Sequence, residues 1–66
     1  MEIHKGYVEH IVFRNSENGY TVFQLIAGEE ELTCVGSFAV LNEGEFIQVG
    51  GSLKEHPLYG SQLHVE

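Results

Sequence analysis

The side chains of this chain that could perform catalysis are glutamates, histidines, serines and one cysteine. All ten acidic residues are glutamates, so a Ser-His-Asp triad is excluded. The sequence also has neither a Gly-x-Ser-x-Gly elbow nor a Gly-x-x-x-x-Gly-Lys-Ser/Thr phosphate loop. Cys34 lies between Thr33 and Val35 without a neighbouring base, which is typical of a buried cysteine rather than a nucleophile. No pair of glutamates is singled out by its spacing. We therefore predict no catalytic residues and no enzymatic activity in this chain itself.

Four histidines raise the question of a metal site. His4, His10, His56 and His64 lie on three predicted strands, without the short spacing of paired zinc ligands. His4 and His10 have the same parity in the first strand, so a metal site stays open as an alternative. The pattern favours surface histidines and one structural hydrogen bond at His56, and we assign no metal ligand.

The charge balance limits binding to nucleic acid. Ten glutamates oppose Lys5, Arg14 and Lys54, and the formal net charge is −7. A field of this sign repels phosphates, so nonspecific binding of nucleic acid is disfavoured. If single-stranded DNA is bound weakly, we expect contacts from the cations Arg14 and Lys54 and from a stacking aromatic, Tyr20 or Tyr7. The favoured interpretation, however, is that the aromatic side chains mainly pack the core and the hairpins.

Five segments have the alternation and the bordering turn residues of β-strands. They are predicted at residues 3–14, 20–27, 31–38, 45–55 and 59–65. The first segment does not keep one phase, which predicts a bend or bulge near Gly6. The segment between the third and fourth strands is too short for more than one helical turn. Because so short a chain cannot cover a flat sheet with helices, we predict an all-β fold. It is a small five-stranded barrel of the oligonucleotide/oligosaccharide-binding (OB) type, with an SH3-like barrel as the alternative.

The same alternation predicts which side chains face the core, most clearly in the fourth and fifth strands. Expected inside are Val8, Phe23, Val35, Ile47, Val49, Leu53, Leu63 and Val65. Expected outside are Gln48, Lys54, Gln62 and Glu66.

A tight corner is predicted between the last two strands, at the sequence HPLYG of residues 56–60. Pro57 fixes its own φ and cannot donate to a strand ladder, and Gly60 permits a positive φ. We expect these two residues to close the corner, with Tyr59 packed inward and His56 at the end of its strand.

Four stretches together resemble one known family: residues 6–23 (GYVEHIVFRNSENGYTVF), 35–36, 41–45 and 56–63 (HPLYGSQL). In this order they are similar to the amino-terminal segment of bacterial RecD-like ATP-dependent DNA helicases, which are often labelled exodeoxyribonuclease V alpha chain. The most specific part is the Asn-Gly-Tyr-Thr-Val hairpin combined with His-Pro-x-Tyr-Gly-x-Gln. The resemblance implies the small OB-like domain that precedes the helicase core in that family.

This resemblance implies that residues 1–66 form a single domain of a longer helicase. ATP, Mg²⁺ and 5′-to-3′ unwinding of DNA would belong to its other domains, and no catalytic residue carries over to this chain. The fifth strand also ends with the chain, which predicts a piece of a longer protein. The expected partners are the other domains of the parent helicase and, weakly, single-stranded DNA. The alternative is a standalone protein-interaction barrel that self-associates through an edge strand.

The predicted location is the cytoplasm. One cysteine cannot form an internal disulfide, no apolar run is long enough to span a bilayer, and residues 1–5 lack the hydrophobic region of a signal peptide. We expect no membrane partner.

Overall fold

Five strands make up the fold in the computed structural model, which describes residues 1–58 and 60–66. They are β1 (Glu2–Arg14), β2 (Tyr20–Ala27), β3 (Glu30–Ser37), β4 (Phe46–His56) and β5 (Gly60–Val65). Each lies within one residue of its predicted position. No described residue is helical, so the expected reduction of the helix between the third and fourth strands is confirmed. In the part of the chain that the structure describes, no helix has the length and apolar character needed to cross a membrane.

The strands close into a ring in the order β1-β2-β3-β5-β4, and β4 returns to β1. Four of the five pairings are antiparallel. The exception is the parallel pairing of β3 with β5, which joins Cys34 to Leu63 and Val35 to His64. This closed five-stranded arrangement confirms the predicted OB-like barrel.

The first strand pairs with two other strands, which explains its length. Its first half pairs with β4 and its second half with β2, and Tyr7 pairs with both. The register with β2 shifts at Glu9 and at Val12, so the predicted irregularity exists but does not lie at Gly6. At Gly6 the strand instead passes against β2, where a Cβ would overlap the carbonyl oxygen of Ile26.

The core lies inside the barrel and comes from all five strands and from the segment between β3 and β4. Its buried hydrophobic residues are Val8, Phe23, Leu25, Cys34, Val35, Leu41, Val49 and Leu63. The predictions for Val8, Phe23, Val35, Val49 and Leu63 are therefore confirmed. Ile47 and Val65 are half-buried and pack against this core. Gln48, Lys54 and Glu66 are exposed as expected, whereas Gln62 is half-buried.

The prediction for Leu53 is wrong, because this side chain is 45% exposed. It keeps the inward parity of β4 and pairs with the buried Leu63. However, the pairing of β4 with β1 ends at Gly51, so Leu53 has a neighbouring strand on one side only. Alternation predicted the direction of the side chain, and the missing neighbour leaves it half in solvent.

The corner between β4 and β5 has the predicted form. His56 ends β4 and pairs with Gly60, the first residue of β5. The Leu58 backbone N–H donates to His56 Nδ1 at 3.1 Å. Gly60 has a φ of 77°, in the left-handed region that favours glycine. The predicted inward packing of Tyr59 lies outside the described residues.

Replacement of Gly60 by valine is expected to lower the free energy of unfolding by about 1–3 kcal/mol. Apart from the residues next to Gly60 in the chain, no atom of the described residues lies within 4 Å of a Cβ placed there, so the cost comes from the positive φ and not from a clash. Urea unfolding would measure it, with Gly60→Asn as the matched control, because asparagine tolerates this backbone region better than valine. Equal losses in the two variants would contradict the backbone explanation.

Candidate nucleic-acid interface

Arg14, the first of the predicted DNA contacts, is bound to its own chain. It ends β1, and its guanidinium donates from Nη1 to Thr21 Oγ1 at 2.8 Å. From Nη2 it donates to the carbonyl oxygens of Phe38 and Ala39, at 3.0 and 3.1 Å. Thr21 is fully buried and donates in turn to the Gly19 carbonyl oxygen at 2.8 Å. Arg14 therefore joins the β1–β2 hairpin to the segment after β3, which occupies much of its hydrogen-bonding capacity.

Tyr20 lies in the same β1–β2 hairpin as Arg14, but its ring is on the other face of that hairpin. Arg14 pairs with Thr21 across the hairpin, and the ring of Tyr20 lies 6.5 Å from the ring of Phe13. Both aromatic side chains are exposed. A shallow pocket of about 350 Å³ opens on the Arg14 side of the hairpin, lined by Arg14, Ser16, Asn18, Gly19, Ser37, Phe38 and Ala39. Because successive strand residues point to opposite faces, the Arg14 side chain and the exposed aromatics Phe13 and Tyr20 lie on opposite faces of this hairpin.

Tyr7 and Lys54 lie elsewhere on the surface. Tyr7 sits near the middle of β1 and contacts Phe46 of β4, with ring centroids 4.9 Å apart and an edge-to-face angle of 69°. Lys54 is exposed near the end of β4, where it pairs with Gln62 of β5. The structure therefore places Arg14 and Tyr20 in one hairpin with their side chains on opposite faces, and it places Tyr7 and Lys54 on other strand pairs.

Two exposed aromatic residues, Phe13 and Phe46, were missed as candidate contacts. Phe13 follows the register shift at Val12. Because each shift changes which side chains face outward, simple alternation could not place it. The sequence did indicate an irregularity here, because the alternation of the first strand does not keep one phase. A groove of about 470 Å³ crosses this region, lined by Val12, Phe13, Val22, Gln24, Thr33 and Gln62.

Glutamates beside the second half of β1 make that part of the surface acidic. Glu43 Oε2 accepts from the Ile11 backbone N–H at 2.9 Å and lies 3.1 Å from His10 Nδ1. The hydrogen bond from Ile11 is the main reason that the pKa of Glu43 is lowered, and nearby His10 adds to this. In contrast, a hydrogen bond with Glu31 raises the pKa of Glu9, because the two carboxyl groups lie side by side. A phosphate at this surface would meet carboxylates as well as cations.

His4 lies beside a glutamate, and the single cysteine is buried. His4 Nε2 lies 3.1 Å from Glu2 Oε1, and Cys34 is buried, which raises the pKa of its thiol to about 11. Within residues 1–58 and 60–66, no three histidine, cysteine or glutamate side chains are grouped so that they could hold a metal ion.

The closed five-stranded barrel and its strand order define this chain as an OB-fold domain. The family model for the OB-fold domain of the ATP-dependent DNA helicase YrrC matches residues 1–66. The chain therefore belongs to this family, and the resemblance to RecD-like helicases found in the sequence is confirmed. Comparisons with curated proteins and with solved structures gave no match.

Proposed function

We propose that this chain is the non-catalytic, N-terminal OB-fold module of a RecD-like ATP-dependent DNA helicase, and that it docks against other domains of that helicase. Contact with single-stranded DNA is weak in this proposal. The observation that carries it is the placement of the cations. Arg14 makes three hydrogen bonds within its own chain, which leaves Lys5 and Lys54 as the exposed cations against ten glutamates.

ATP and Mg²⁺, which the family name suggests for a helicase, do not fit the residues of this chain. The sequence has no glycine-rich phosphate loop with a following lysine, and the described residues include no acidic cluster that could hold a metal ion. We therefore assign both cofactors, and DNA unwinding in the cytoplasm, to other domains of the parent.

A standalone barrel that self-associates through an edge strand is the second candidate. The closed ring argues against it, because each described strand hydrogen-bonds to a neighbour on both sides. The weakest part of the ring is the parallel pairing of β3 with β5, which has two residue pairs. A concentration-dependent dimer would favour this alternative.

Fluorescence anisotropy with a labelled single-stranded oligonucleotide tests the weak DNA contact. We expect binding at low salt only. A plot of log affinity against log salt should have a slope no steeper than about −1.4, because single strands give about −0.7 for each neutralised phosphate and two cations are available. Tyr20→Ala should weaken this binding, because stacking contributes about 1–3 kcal/mol per base, while Tyr7→Ala serves as a comparison on another strand pair. Tight binding that persists at physiological salt would overturn the docking proposal.

A further inference from the structure

The contact between Tyr7 and Phe46 forms an exposed aromatic pair that the barrel does not use for its own packing. The side chains are 56% and 57% exposed, although their rings touch edge to face. In contrast, buried Phe23 and half-buried Phe38 form an aromatic pair that packs inside the barrel. Aromatic residues are enriched at protein interfaces, where they supply large contact areas at low conformational cost. The Tyr7–Phe46 pair therefore has the chemistry of an anchor for another protein.

This pair belongs to a wider apolar surface on the outside of the barrel. Tyr7 pairs with Phe46 of β4 on one side and with Ile26 of β2 on the other, so the three side chains share one face. Along β1, Ile3 pairs with Gly50, whose missing Cβ leaves room for the ends of the Ile3 and Met1 side chains. We call the side chains of Ile3, Tyr7, Ile26 and Phe46 the β1–β4 surface. Ile3, Tyr7 and Phe46 are exposed and Ile26 is half-buried, and exposed apolar side chains grouped on one face are typical of interaction sites.

The charges beside the β1–β4 surface are mostly negative. Glu31 pairs with Ile26, and its carboxyl group lies against that of Glu9, which raises the pKa of Glu9. Lys5 is exposed on the same side of β1 as Tyr7, where it pairs with Gln48 of β4 and lies between Ile3 and Tyr7. Two adjacent carboxylates repel each other, and a guanidinium or ammonium group placed between them would remove this repulsion. The negative charges beside the β1–β4 surface therefore complement a cationic occupant and disfavour phosphates.

We propose that the β1–β4 surface docks a positively charged, amphipathic polypeptide segment from another domain of the parent helicase. An apolar side chain of that segment packs on Tyr7 and Phe46, and an arginine or lysine meets Glu9 and Glu31. A second copy of this chain is a poor occupant, because it has the same charge of −7 and would bring four of these carboxylates together. The proposal rests on the docking function and names its surface and the chemistry of its partner.

The test titrates the chain with a blocked hexapeptide of alternating arginine and leucine, monitored by backbone amide chemical shifts. We expect saturable shifts around Tyr7, Ile26 and Phe46. Phe46→Ser should weaken binding by about tenfold or more, as expected for an interface anchor. Phe13→Ser is the matched control, because Phe13 is similarly exposed in the other aromatic pair and should leave the affinity unchanged. Retained dispersion of the amide spectrum shows that both variants stay folded.

Two further peptides separate the sources of binding. A peptide of alternating arginine and serine has the same charge but lacks the apolar side chains, and a peptide of alternating glutamate and leucine has the opposite charge. Both peptides should bind at least about tenfold more weakly. Equal weakening by Phe46→Ser and Phe13→Ser, shifts spread over the whole barrel, or equal binding of the arginine–serine peptide would overturn the proposal. An oligonucleotide that shifts the same residues at physiological salt would overturn it too.

A separate measurement keeps this inference distinct from the proposed function. The chain is added in trans to the parent helicase polypeptide that lacks it, and binding of the wild type tests docking itself. If the wild type binds and Phe46→Ser binds equally well, docking stands and the β1–β4 surface is not its site. If Phe46→Ser loses binding and Phe13→Ser does not, the result supports both the docking function and the β1–β4 surface as its site.

Discussion

Gly51→Ala is expected to lower the free energy of unfolding by about 3 kcal/mol or more. Gly51 lies where β4 is paired on both sides, with Glu2 of β1 and with Val65 of β5. A Cβ at this position would overlap the carbonyl oxygen of His64, a backbone atom of β5. That atom cannot move away without disturbing the ladder between β4 and β5. Because a domain of this size is stable by only about 3–10 kcal/mol, this loss removes about a third of the stability or more.

Gly50→Ala is the matched control, one residue earlier in the same strand. Its Cβ would lie 2.9 Å from Ile3 Cδ1 and from Met1 Sδ, which are the ends of exposed, flexible side chains. These atoms can move aside, so we expect a change within about 0.5 kcal/mol. Urea unfolding followed by circular dichroism measures both variants. If Gly51→Ala were as stable as Gly50→Ala, the backbones of β4 and β5 would not lie in close contact at Gly51.

These two glycines show how far the sequence could predict the barrel. The pair Gly50-Gly51 in a strand with clean alternation favoured an OB-like barrel, and that prediction is confirmed. Alternation also placed Val49 and Gly51 on the inner side of β4. The predicted corner at residues 56–60 fixes the register between β4 and β5. Gly51 is enclosed on both sides because β4 also pairs with β1, and that pairing joins residues distant in sequence, so one sequence does not reveal it. The exposure of Leu53 has the same origin, since it depends on where the pairing with β1 ends.

The candidate contacts were harder to predict than the fold. Arg14 and Tyr20 flank one predicted turn, so the sequence could indicate that they share a hairpin, but not that their side chains lie on opposite faces of it. The hydrogen bonds from Arg14 to the carbonyl oxygens of Phe38 and Ala39 join segments more than twenty residues apart, so they were not predictable. The contact of Tyr7 with Phe46 likewise requires the register between β1 and β4. Residue types identified the candidates, and long-range pairing decides which of them act together.

Phe23→Ala is expected to cost about 3–5 kcal/mol of stability, through lost apolar burial and the cavity that remains. Phe23 is fully buried in β2 and packs edge to face on Phe38, with ring centroids 5.3 Å apart. It thereby links the middle of the barrel to the segment that also accepts hydrogen bonds from Arg14. Phe13→Ala, the same deletion at a side chain that is 52% exposed, should cost about 1 kcal/mol or less. Urea unfolding of the two variants gives both values.

Chemical labelling of the Cys34 thiol tests the same prediction independently of urea unfolding. Cys34 pairs with Phe23 across β2 and β3 and is fully buried, and burial raises the pKa of its thiol to about 11. A thiol reagent at neutral pH should therefore react only when the barrel opens, and the labelling rate follows the population of the open state. A loss of 3–5 kcal/mol corresponds to labelling that is about 10²–10⁴-fold faster in Phe23→Ala. Equal labelling of Phe23→Ala and Phe13→Ala would mean that Phe23 does not hold the core closed over Cys34, because both variants remove the same side-chain atoms.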